Sequence, residues 1–198
     1  MPRQPRLDAP GTLHHVIGRG IEGTKIFRNR GDREDFLDRL GKLCEAKALS
    51  VYAWALMDSH FHLLVRSGKE TLSDSMRKLL TGYVVNFNRR HKRYGHLFQN
   101  RYKSILREED PYLLELNGYI FLNPLRGRVV KGLKELRVYP WTGPFCDHGE
   151  AAEEVAGYGK SAGIFWADPS STRQIVPLHM ESHISLIGSV ELPTGFIF

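Results

Sequence analysis

The sequence has little cysteine and no long apolar run. Its two cysteines, Cys44 and Cys146, form no spacing typical of a metal or redox motif, so we expect no disulfide framework. No apolar stretch approaches the roughly 20 residues that a membrane-spanning helix needs. The first residues, Met1 to Arg6, are not followed by the apolar core of a signal peptide. We therefore expect a cytoplasmic protein, close to the nucleoid, with no membrane partner.

Acidic residues are scarce in most of the chain. Residues 1–140 contain 26 Lys and Arg against 15 Asp and Glu, whereas residues 141–198 contain 2 against 7. A basic balance of this kind favours a polyanionic partner such as nucleic acid, although it is also compatible with a merely soluble basic surface. The change in charge and the loss of periodicity predict one domain over 1–143 and a divergent, partly irregular tail over 144–198.

The hydrophobic pattern predicts the element order β-α-β-β-α-β-α. This order indicates an α+β fold: a ferredoxin-like βαββαβ antiparallel sheet with helices packed on it, followed by an additional C-terminal catalytic helix. The predicted elements are a strand at Leu13–Ile17, a helix capped by Asp32 and ending near Leu49, a hairpin of Val51–Met57 and His60–Arg66, a helix from Thr71 to about His91, a strand or strand pair at Leu97–Leu106, and a helix that Asp110-Pro111 opens and Pro124 ends.

Two histidines stand two residues apart in the second strand of the hairpin. Side chains at i and i+2 of a strand share a face, so His60 and His62 leave the same side of the sheet, about 7 Å apart at their backbones. That placement suits two ligands of one divalent metal ion. Phe61, Leu63 and Val65 point the other way, into a core. The alternative is a pair of unrelated polar residues on a half-exposed strand.

The last predicted helix carries a candidate nucleophile. Tyr119 and Asn123 lie four residues apart and therefore share a helix face. The tyrosine oxygen could attack a phosphate held by the metal, and the asparagine oxygen could be a third metal ligand. The product would be a 5′-phosphotyrosyl link with a free 3′-hydroxyl. Tyr119 could instead be an ordinary amphipathic core residue, and Tyr112 and Tyr102 are alternative nucleophiles.

Cations and aromatic rings alternate between the two proposed catalytic elements. No acidic residue interrupts residues 89–107, where His91, Tyr94 and Phe98 are among the interleaved rings. Cations contact phosphates and aromatic faces stack on unpaired bases, so this stretch indicates single-stranded or hairpin nucleic acid. A solvated helix end followed by a turn is the alternative. The predicted DNA-binding residues are Arg89, Arg90, Lys92, Arg93, Arg101, Lys103 and Arg107, together with Arg19.

Three ordered blocks of the sequence resemble a known family. The first block runs from Pro2-Arg3 through Pro10-Gly11, His15-Val16, Arg19-Gly20 and Ile26-Phe27 to Met57-Asp58-Ser59-His60-Phe61-His62-Leu63-Leu64. The others are the segments from Gly95 to Lys103 and from Tyr119 to Arg126. Together they resemble the REP-associated tyrosine transposases, of the single-tyrosine HUH, IS200-like transposase family. The resemblance covers about residues 2–143 and ends with Tyr139-Pro140-Trp141-Thr142-Gly143.

The resemblance implies an activity and a site. It implies that Tyr119 is the nucleophile, that His60, His62 and Asn123 hold Mg²⁺ or Mn²⁺, and that the substrate is single-stranded DNA beside a hairpin, as in REP-like palindromes. It also implies a bacterial protein, which we expect to be a monomer or a homodimer. Ser59 stands where many relatives have asparagine, and the acidic tail replaces the basic helical segment of many relatives.

Three functions follow from these patterns. The first is a DNA transposase that cleaves and rejoins single strands through the phosphotyrosine intermediate. The second is a metal-dependent nuclease that hydrolyses the strand with water and needs no tyrosine. The third is a hairpin-binding protein without catalytic activity, which would need neither histidine.

Overall fold

The computed structural model of the chain describes residues 9–107 and 113–144. Five strands and five helices lie in this part of the chain. The strands are β1 Leu13–Arg19, β2 Leu49–Leu56, β3 His60–Ser67, β4 Lys103–Arg107 and β5 Thr142–Pro144. The helices are α1 Arg30–Glu45, α2 Leu72–Arg90, α3 Leu113–Phe121, α4 Asn123–Arg126 and α5 Leu133–Arg137. None of the described helices is long and apolar enough to cross a membrane.

The strands form one antiparallel sheet in the order β4-β1-β3-β2-β5. β1 lies between β3 and β4, although both follow it by many residues, and α1 and α2 are the crossover helices. The predicted α+β, ferredoxin-like fold is therefore confirmed. β5, which pairs with the outer edge of β2, was not predicted, because a strand of three residues has no alternation to detect.

The N-terminus of α1 corrects one predicted detail. Asn29, and not Asp32, is the capping residue: its side chain accepts a hydrogen bond from the backbone N–H of Asp32. Asp32 lies at the third helical position, and its carboxylate accepts in return from the N–H groups of Arg28 and Asn29. This reciprocal pattern is a capping box. The helix also ends at Glu45, earlier than predicted, because the chain must turn before β2 starts at Leu49.

One face of the sheet builds the larger core. Phe61, Leu63 and Val65 of β3 are fully buried there, as predicted from their alternation. They pack against apolar residues of α1 and α2, with ring contacts from Phe36 to both Phe61 and Tyr83. The Tyr83 hydroxyl donates to the carbonyl of Ile26, so this buried polar group is satisfied.

The other face of the sheet holds α3. Ala53 and Ala55 of β2 are fully buried in a smaller apolar cluster with Leu116 and Ile120 of that helix. Two side chains of this size let the helix backbone approach the sheet closely. Burying a side chain such as Ile120 stabilises the contact by about 1.5–3 kcal/mol. Since Ala55 lies opposite His62 in the strand register, α3 is docked directly beside the histidine pair.

Two glycines allow the end of β1 to approach the β2–β3 turn. A Cβ on Gly18 would lie 2.2 Å from the ring of Phe61, and one on Gly20 would lie 2.0 Å from the carbonyl oxygen of Thr24. Any larger residue would force these neighbours apart. Arg19, between them, points to the opposite face, where it lies across from His60.

The segment before β4 is less regular than predicted. Only Lys103–Arg107 forms a strand, and Phe98 makes a single bridge to Gly20. Hydrogen bonds from Gln99 N to Arg19 O and from Ile21 N to Leu97 O attach this loop to the end of β1. The predicted start of the last helix at Asp110-Pro111, the alternative nucleophile Tyr112 and the predicted tail over 144–198, apart from its first residue, lie outside the described residues.

Candidate active site

The turn that presents the first histidine is held from three sides. Asp58 and Ser59 connect β2 to β3, with the N–H of Met57 donating to the carbonyl of His60 over 2.9 Å. The Asp58 carboxylate accepts from Arg33 of α1 at 2.5 Å and pairs with Lys25 at 2.7 Å. Its own carbonyl accepts from two backbone N–H groups of the β1–α1 connection. The antiparallel hairpin is as predicted, and its turn is fixed to α1.

Three histidines share the α3 face of the sheet. His60 and His62 both project from β3, with ring centroids 5.4 Å apart, so the predicted common face is confirmed. His15 of β1 joins them: its ring stacks on that of His62 with centroids 5.2 Å apart. Both His15 and His62 are buried, whereas His60 is half-buried at the rim.

Both members of the pair are held in the neutral form. Burial lowers the pKa of His60 below its ordinary value, and the nearby charge of Arg19 adds to this. Burial, followed by the neighbouring His15 and His60, holds the pKa of His62 well below its ordinary value. Neutral imidazole is the form that ligates metal ions.

The hydrogen bonds select one ring nitrogen of each histidine. Nδ1 of His60 lies 3.2 Å from the Ser59 hydroxyl, and Nδ1 of His62 lies 2.9 Å from Nε2 of His15. Engagement of one nitrogen leaves the other as the coordinating atom. Nε2 is therefore the nitrogen that each histidine offers to a cation.

Tyr119 of α3 contacts two of the histidines on their shared face of the sheet. Its ring meets His62 edge to face with centroids 6.2 Å apart, and His15 in the same way at 6.1 Å. The guanidinium of Arg126 lies over the Tyr119 ring, 4.8 Å from its centroid. The structure thus brings the predicted nucleophile into contact with one of the two predicted histidine ligands. Tyr102, an alternative nucleophile just before β4, is buried instead with its hydroxyl 3.3 Å from the hydroxyl of Ser73.

Asn123 begins α4, one turn beyond Tyr119. Pro124 follows it, so α3 ends at Phe121 and the helical path restarts, as the predicted end of the helix near this proline requires. The Asn123 amide nitrogen donates to the carbonyl of Tyr119 over 3.1 Å, and the side chain is buried. Because the nitrogen is used in this way, the amide oxygen is the atom that Asn123 can offer to a cation.

The segment that carries this site matches a known protein family. The sequence profile of the family described as "Transposase IS200 like" matches residues 11–121, which is more than half of the chain and includes β1, the histidine pair and Tyr119. The chain belongs to the IS200-like transposase family. The resemblance inferred from the sequence blocks is therefore confirmed at the level of this family. No curated protein matches the transposase significantly.

Two of the solved structures that resemble the transposase are compared with it in turn. One is a REP-associated tyrosine transposase bound to a REP hairpin, 14% identical, with a TM-score of 0.58 over 89% of this chain and 99% of that one. At this identity the likeness concerns the fold, which agrees with the predicted ferredoxin-like sheet. The other is a Deinococcus radiodurans R1 protein described as a candidate transposase, 15% identical, with a TM-score of 0.41 over 60% of this chain and 95% of that one.

The residues of the site fit a divalent cation. Within residues 9–107 and 113–144, no three His, Cys, Asp or Glu side chains cluster in a way suited to a metal. A cation at the pair would need further ligands, and the amide oxygen of Asn123 is the one that the sequence predicts. Mg²⁺ prefers oxygen ligands, so two imidazoles suit Mn²⁺ better.

The basic stretch of the transposase lies beside this site. Its loop pairs with the end of β1 next to Arg19, and Gly20 N donates to Ser59 O at 2.8 Å, so the stretch adjoins His60. Arg89, Lys92, Arg101, Lys103 and Arg19 are exposed. Two others have intramolecular partners: Arg90 pairs with Asp32 at 2.5 Å, and Arg93 donates to Asn88 and to the carbonyl of His96. The side chain of Arg107 lies outside the described residues.

Sequence reasoning missed a second basic surface. Residues 126–137 follow the tyrosine helix, and we name them the basic arm. Its exposed cations are Arg126, Arg128, Lys131, Lys134 and Arg137. The arm rests on a small apolar cluster of Phe121, Leu122, Val130 and Leu136, and its one acid, Glu135, accepts from the backbone N–H of Lys131. The sequence did contain a signal for this surface, because five cations within twelve residues are typical of a segment that binds a polyanion.

Sequence reasoning also missed His15 and Arg126 as members of the site. His15 belongs to the first block of the family resemblance, but a single histidine in the first strand gave no indication that its ring would reach His62. Arg126 ends the third block, seven residues after Tyr119. The contact of His15 with His62 depends on the pairing of β1 with β3, and the contact of Arg126 with Tyr119 depends on the turn between α3 and α4.

Proposed function

We propose that this transposase cleaves and rejoins single-stranded DNA next to a hairpin, with Tyr119 as the nucleophile. The observation that carries the proposal is the contact of the Tyr119 ring with His62. The two residues are 57 positions apart in the chain, yet α3 places the tyrosine on the same face as the neutral histidine pair.

The reaction exchanges one ester for another. The Tyr119 hydroxyl oxygen attacks the phosphorus of a DNA phosphodiester, and the bond from phosphorus to the 3′ oxygen of the preceding nucleotide breaks. The phenol loses one proton and the departing 3′ oxygen gains one. Because the number of phosphate ester bonds is unchanged, the reverse reaction can join a 3′-hydroxyl without ATP.

The protein's residues supply position and charge. Arg126 packs on the face of the Tyr119 ring and His15 and His62 contact its edge, which together limit how the hydroxyl can turn. Fixing the two reacting atoms in this way replaces a slow bimolecular encounter. A divalent cation held by His60, His62 and Asn123 would polarise the phosphate and neutralise charge in the transition state.

The DNA would contact both basic surfaces. The stretch of residues 89–103 and Arg19 lie at the His60 end of the sheet, and the basic arm lies beside Tyr119. A strand that crosses the site would thus meet cations on either side of the scissile phosphate. The fold likeness to a transposase bound to a REP hairpin supports a hairpin as the feature that positions this strand. A location in the cytoplasm, with the chromosome, stays a prediction.

A trapping experiment tests the function. Labelled single strands that carry a hairpin are incubated with the protein and Mn²⁺, and denaturing gels are examined for a covalent adduct. We expect the adduct with the wild type and its loss with Tyr119→Phe, which removes one oxygen and leaves the ring in place. Mass spectrometry should find the nucleotide on Tyr119.

The controls separate the alternatives. Tyr94 is 95% exposed, so Tyr94→Phe is a matched loss of a tyrosine hydroxyl that should not prevent adduct formation. Cleavage by Tyr119→Phe without an adduct would instead indicate a hydrolytic nuclease. A gel shift without cleavage by the wild type would indicate a binding protein. An adduct on Tyr102 or Tyr112 would refute the assignment of the nucleophile.

A further inference from the structure

His15 does not belong to the predicted metal site, yet it is the partner of one of its ligands. Nε2 of His15 lies 2.9 Å from Nδ1 of His62, and the contact is buried. The two rings are also stacked, with an angle of 26° between their planes. Because both rings are buried, each needs a hydrogen-bond partner, and here each ring supplies one for the other.

The chemistry of the contact constrains both tautomers. A neutral imidazole carries one proton, so exactly one of its nitrogens donates. If His62 carries its proton on Nε2, Nδ1 accepts from His15 and no lone pair remains for a cation. If His62 carries its proton on Nδ1, that N–H donates to Nε2 of His15 and the lone pair of Nε2 points into the site. Only the second state binds metal.

We propose that His15 is a positioning residue that holds His62 in its metal-binding tautomer by accepting the hydrogen bond from Nδ1. His15 then carries its own proton on Nδ1. This inference rests on the metal role proposed for His62. Ligand histidines are usually oriented by a carboxylate or a carbonyl group, and here an imidazole nitrogen takes that place.

The effect reaches beyond the metal, because Tyr119 contacts both rings. Its ring meets His15 at 6.1 Å and His62 at 6.2 Å between centroids, so a shift of either histidine changes the surface against which the tyrosine packs. The ring of His15 therefore has two contacts that matter for the proposed site. It orients Nε2 of His62 through the hydrogen bond, and it packs against the ring of Tyr119.

The experiment measures Mn²⁺ affinity by calorimetry and by the electron paramagnetic resonance of the free ion, without DNA. His15→Leu removes the acceptor, and we expect an affinity lower by about 10- to 100-fold, the usual cost of losing such a partner. His15→Gln places an amide oxygen at a similar reach and should bind within a few-fold of the wild type. His15→Asn is too short to reach His62 and should behave like His15→Leu.

His14 provides a matched control. It is as buried as His15 on the same strand, but it faces away from the site, between the hydroxyls of Thr12 and Ser104. His14→Gln should leave Mn²⁺ affinity unchanged. Nitrogen-15 spectra of the metal-free protein give a second readout: His62 should be protonated on Nδ1 in the wild type and in His15→Gln, and on Nε2 in His15→Leu.

The outcomes distinguish this inference from the proposed function. If the wild type does not bind Mn²⁺, or if His62→Ala binds it equally well, the metal site itself is refuted. If the wild type binds through His62 and both His15→Leu and His15→Asn bind as tightly, the role of His15 is refuted. Should His15→Leu fail to fold, the comparison of the Gln and Asn variants still decides.

Discussion

At the scale of single residues, the site depends on side chains that the fold keeps neutral and oriented. His62 is buried, its Nδ1 is engaged by His15, and its ring contacts the ring of Tyr119. His60 is less buried and adjoins Arg19 and Ser59. The two predicted ligands therefore differ in access to water, although they are only two residues apart on the same face.

Replacement of either histidine should separate catalysis from binding. We expect His60→Ala and His62→Ala to abolish DNA cleavage, because each removes a cation ligand, while hairpin binding changes by less than about threefold, since phosphate contacts position the DNA. Cleavage on denaturing gels and binding by fluorescence anisotropy measure the two effects. Normal turnover by either variant would contradict the metal site.

At the scale of elements, two segments offer cations to DNA from different sides of the site. The loop before β4 carries Arg101 and Lys103, both exposed, and the basic arm carries its cations beyond α3. The arm is fixed to the sheet through Tyr139, whose hydroxyl donates to the carbonyl of Leu56 over 2.9 Å. Both segments are therefore held at defined positions relative to the histidines.

The salt dependence of DNA binding should reveal both segments. Changing Arg101 and Lys103 together to Ala should weaken binding to all sequences and lower the log–log salt slope by roughly 0.7 for each lost phosphate contact with a single strand. Changing Arg128, Lys131 and Lys134 together to Gln should do the same for the arm. Binding titrations at several salt concentrations measure both slopes.

A matched variant controls for the loss of charge alone. Lys42, Lys47 and Lys69 are exposed and lie near the opposite end of the sheet from His60. Their joint replacement by Gln should leave the salt slope almost unchanged. If it lowers the slope as much as the arm variant does, the binding is a general effect of net charge and neither segment forms a specific track.

Some of the helices and strands could be predicted from the sequence, and others could not. The hairpin, the long helix and the order of the elements along the chain followed from periodicity and from the family resemblance, because each leaves a pattern within a short window. The capping role of Asn29, the short β5 and the contact of His15 with His62 did not. Each of these depends on which segments become neighbours in space, and no local pattern records that.

At the scale of the whole molecule, two carboxylates, one buried and one half-exposed, connect elements that are distant in the sequence. Burial opposes ionisation of Asp32, but the backbone N–H of Arg28 and the side chains of His91 and Arg90 hold its pKa below the ordinary value. Asp32 thereby joins the start of α1 to the end of α2. Asp58, whose pKa is also lowered, joins α1 to the histidine turn.

The lowered pKa values of His60 and His62 predict how the stability of the fold depends on pH. His60 and His62 have lowered pKa values when folded, so the unfolded chain binds more protons below about pH 6.5. Their contribution is complete above that pH and is lost as the pH falls toward their folded pKa values. The contributions of Asp32 and Asp58 persist in this window, because carboxylates titrate near pH 4.

Denaturant unfolding with a chelator present tests this dependence. We expect the free energy of unfolding to fall between pH 7.5 and pH 5.5, and to fall less for His62→Gln, which has no titratable group at that position. An equal dependence in the two proteins would contradict the assignment to His62.

The acidic tail should not be needed for the fold. Among the described residues, the last strand of the sheet is β5, which ends at Pro144, and the charge reverses close to that point. We expect a chain without residues 150–198 to keep a single cooperative melting transition by circular dichroism. A broad transition without cooperativity would show that the tail belongs to the core.

The position of β1 inside the sheet has a consequence for synthesis on the ribosome. β1 ends at Arg19, whereas its neighbour β3 begins at His60. At a synthesis rate of roughly 5–20 residues per second, about 2–8 s pass between the end of β1 and the start of its first pairing partner. The helix with Tyr119 is made later still. Under the proposed function, a chain interrupted before α3 would carry the histidines without the nucleophile and could not form the covalent link to DNA. The proposed nucleophile is thus made only after β1 and β3, which carry the histidines.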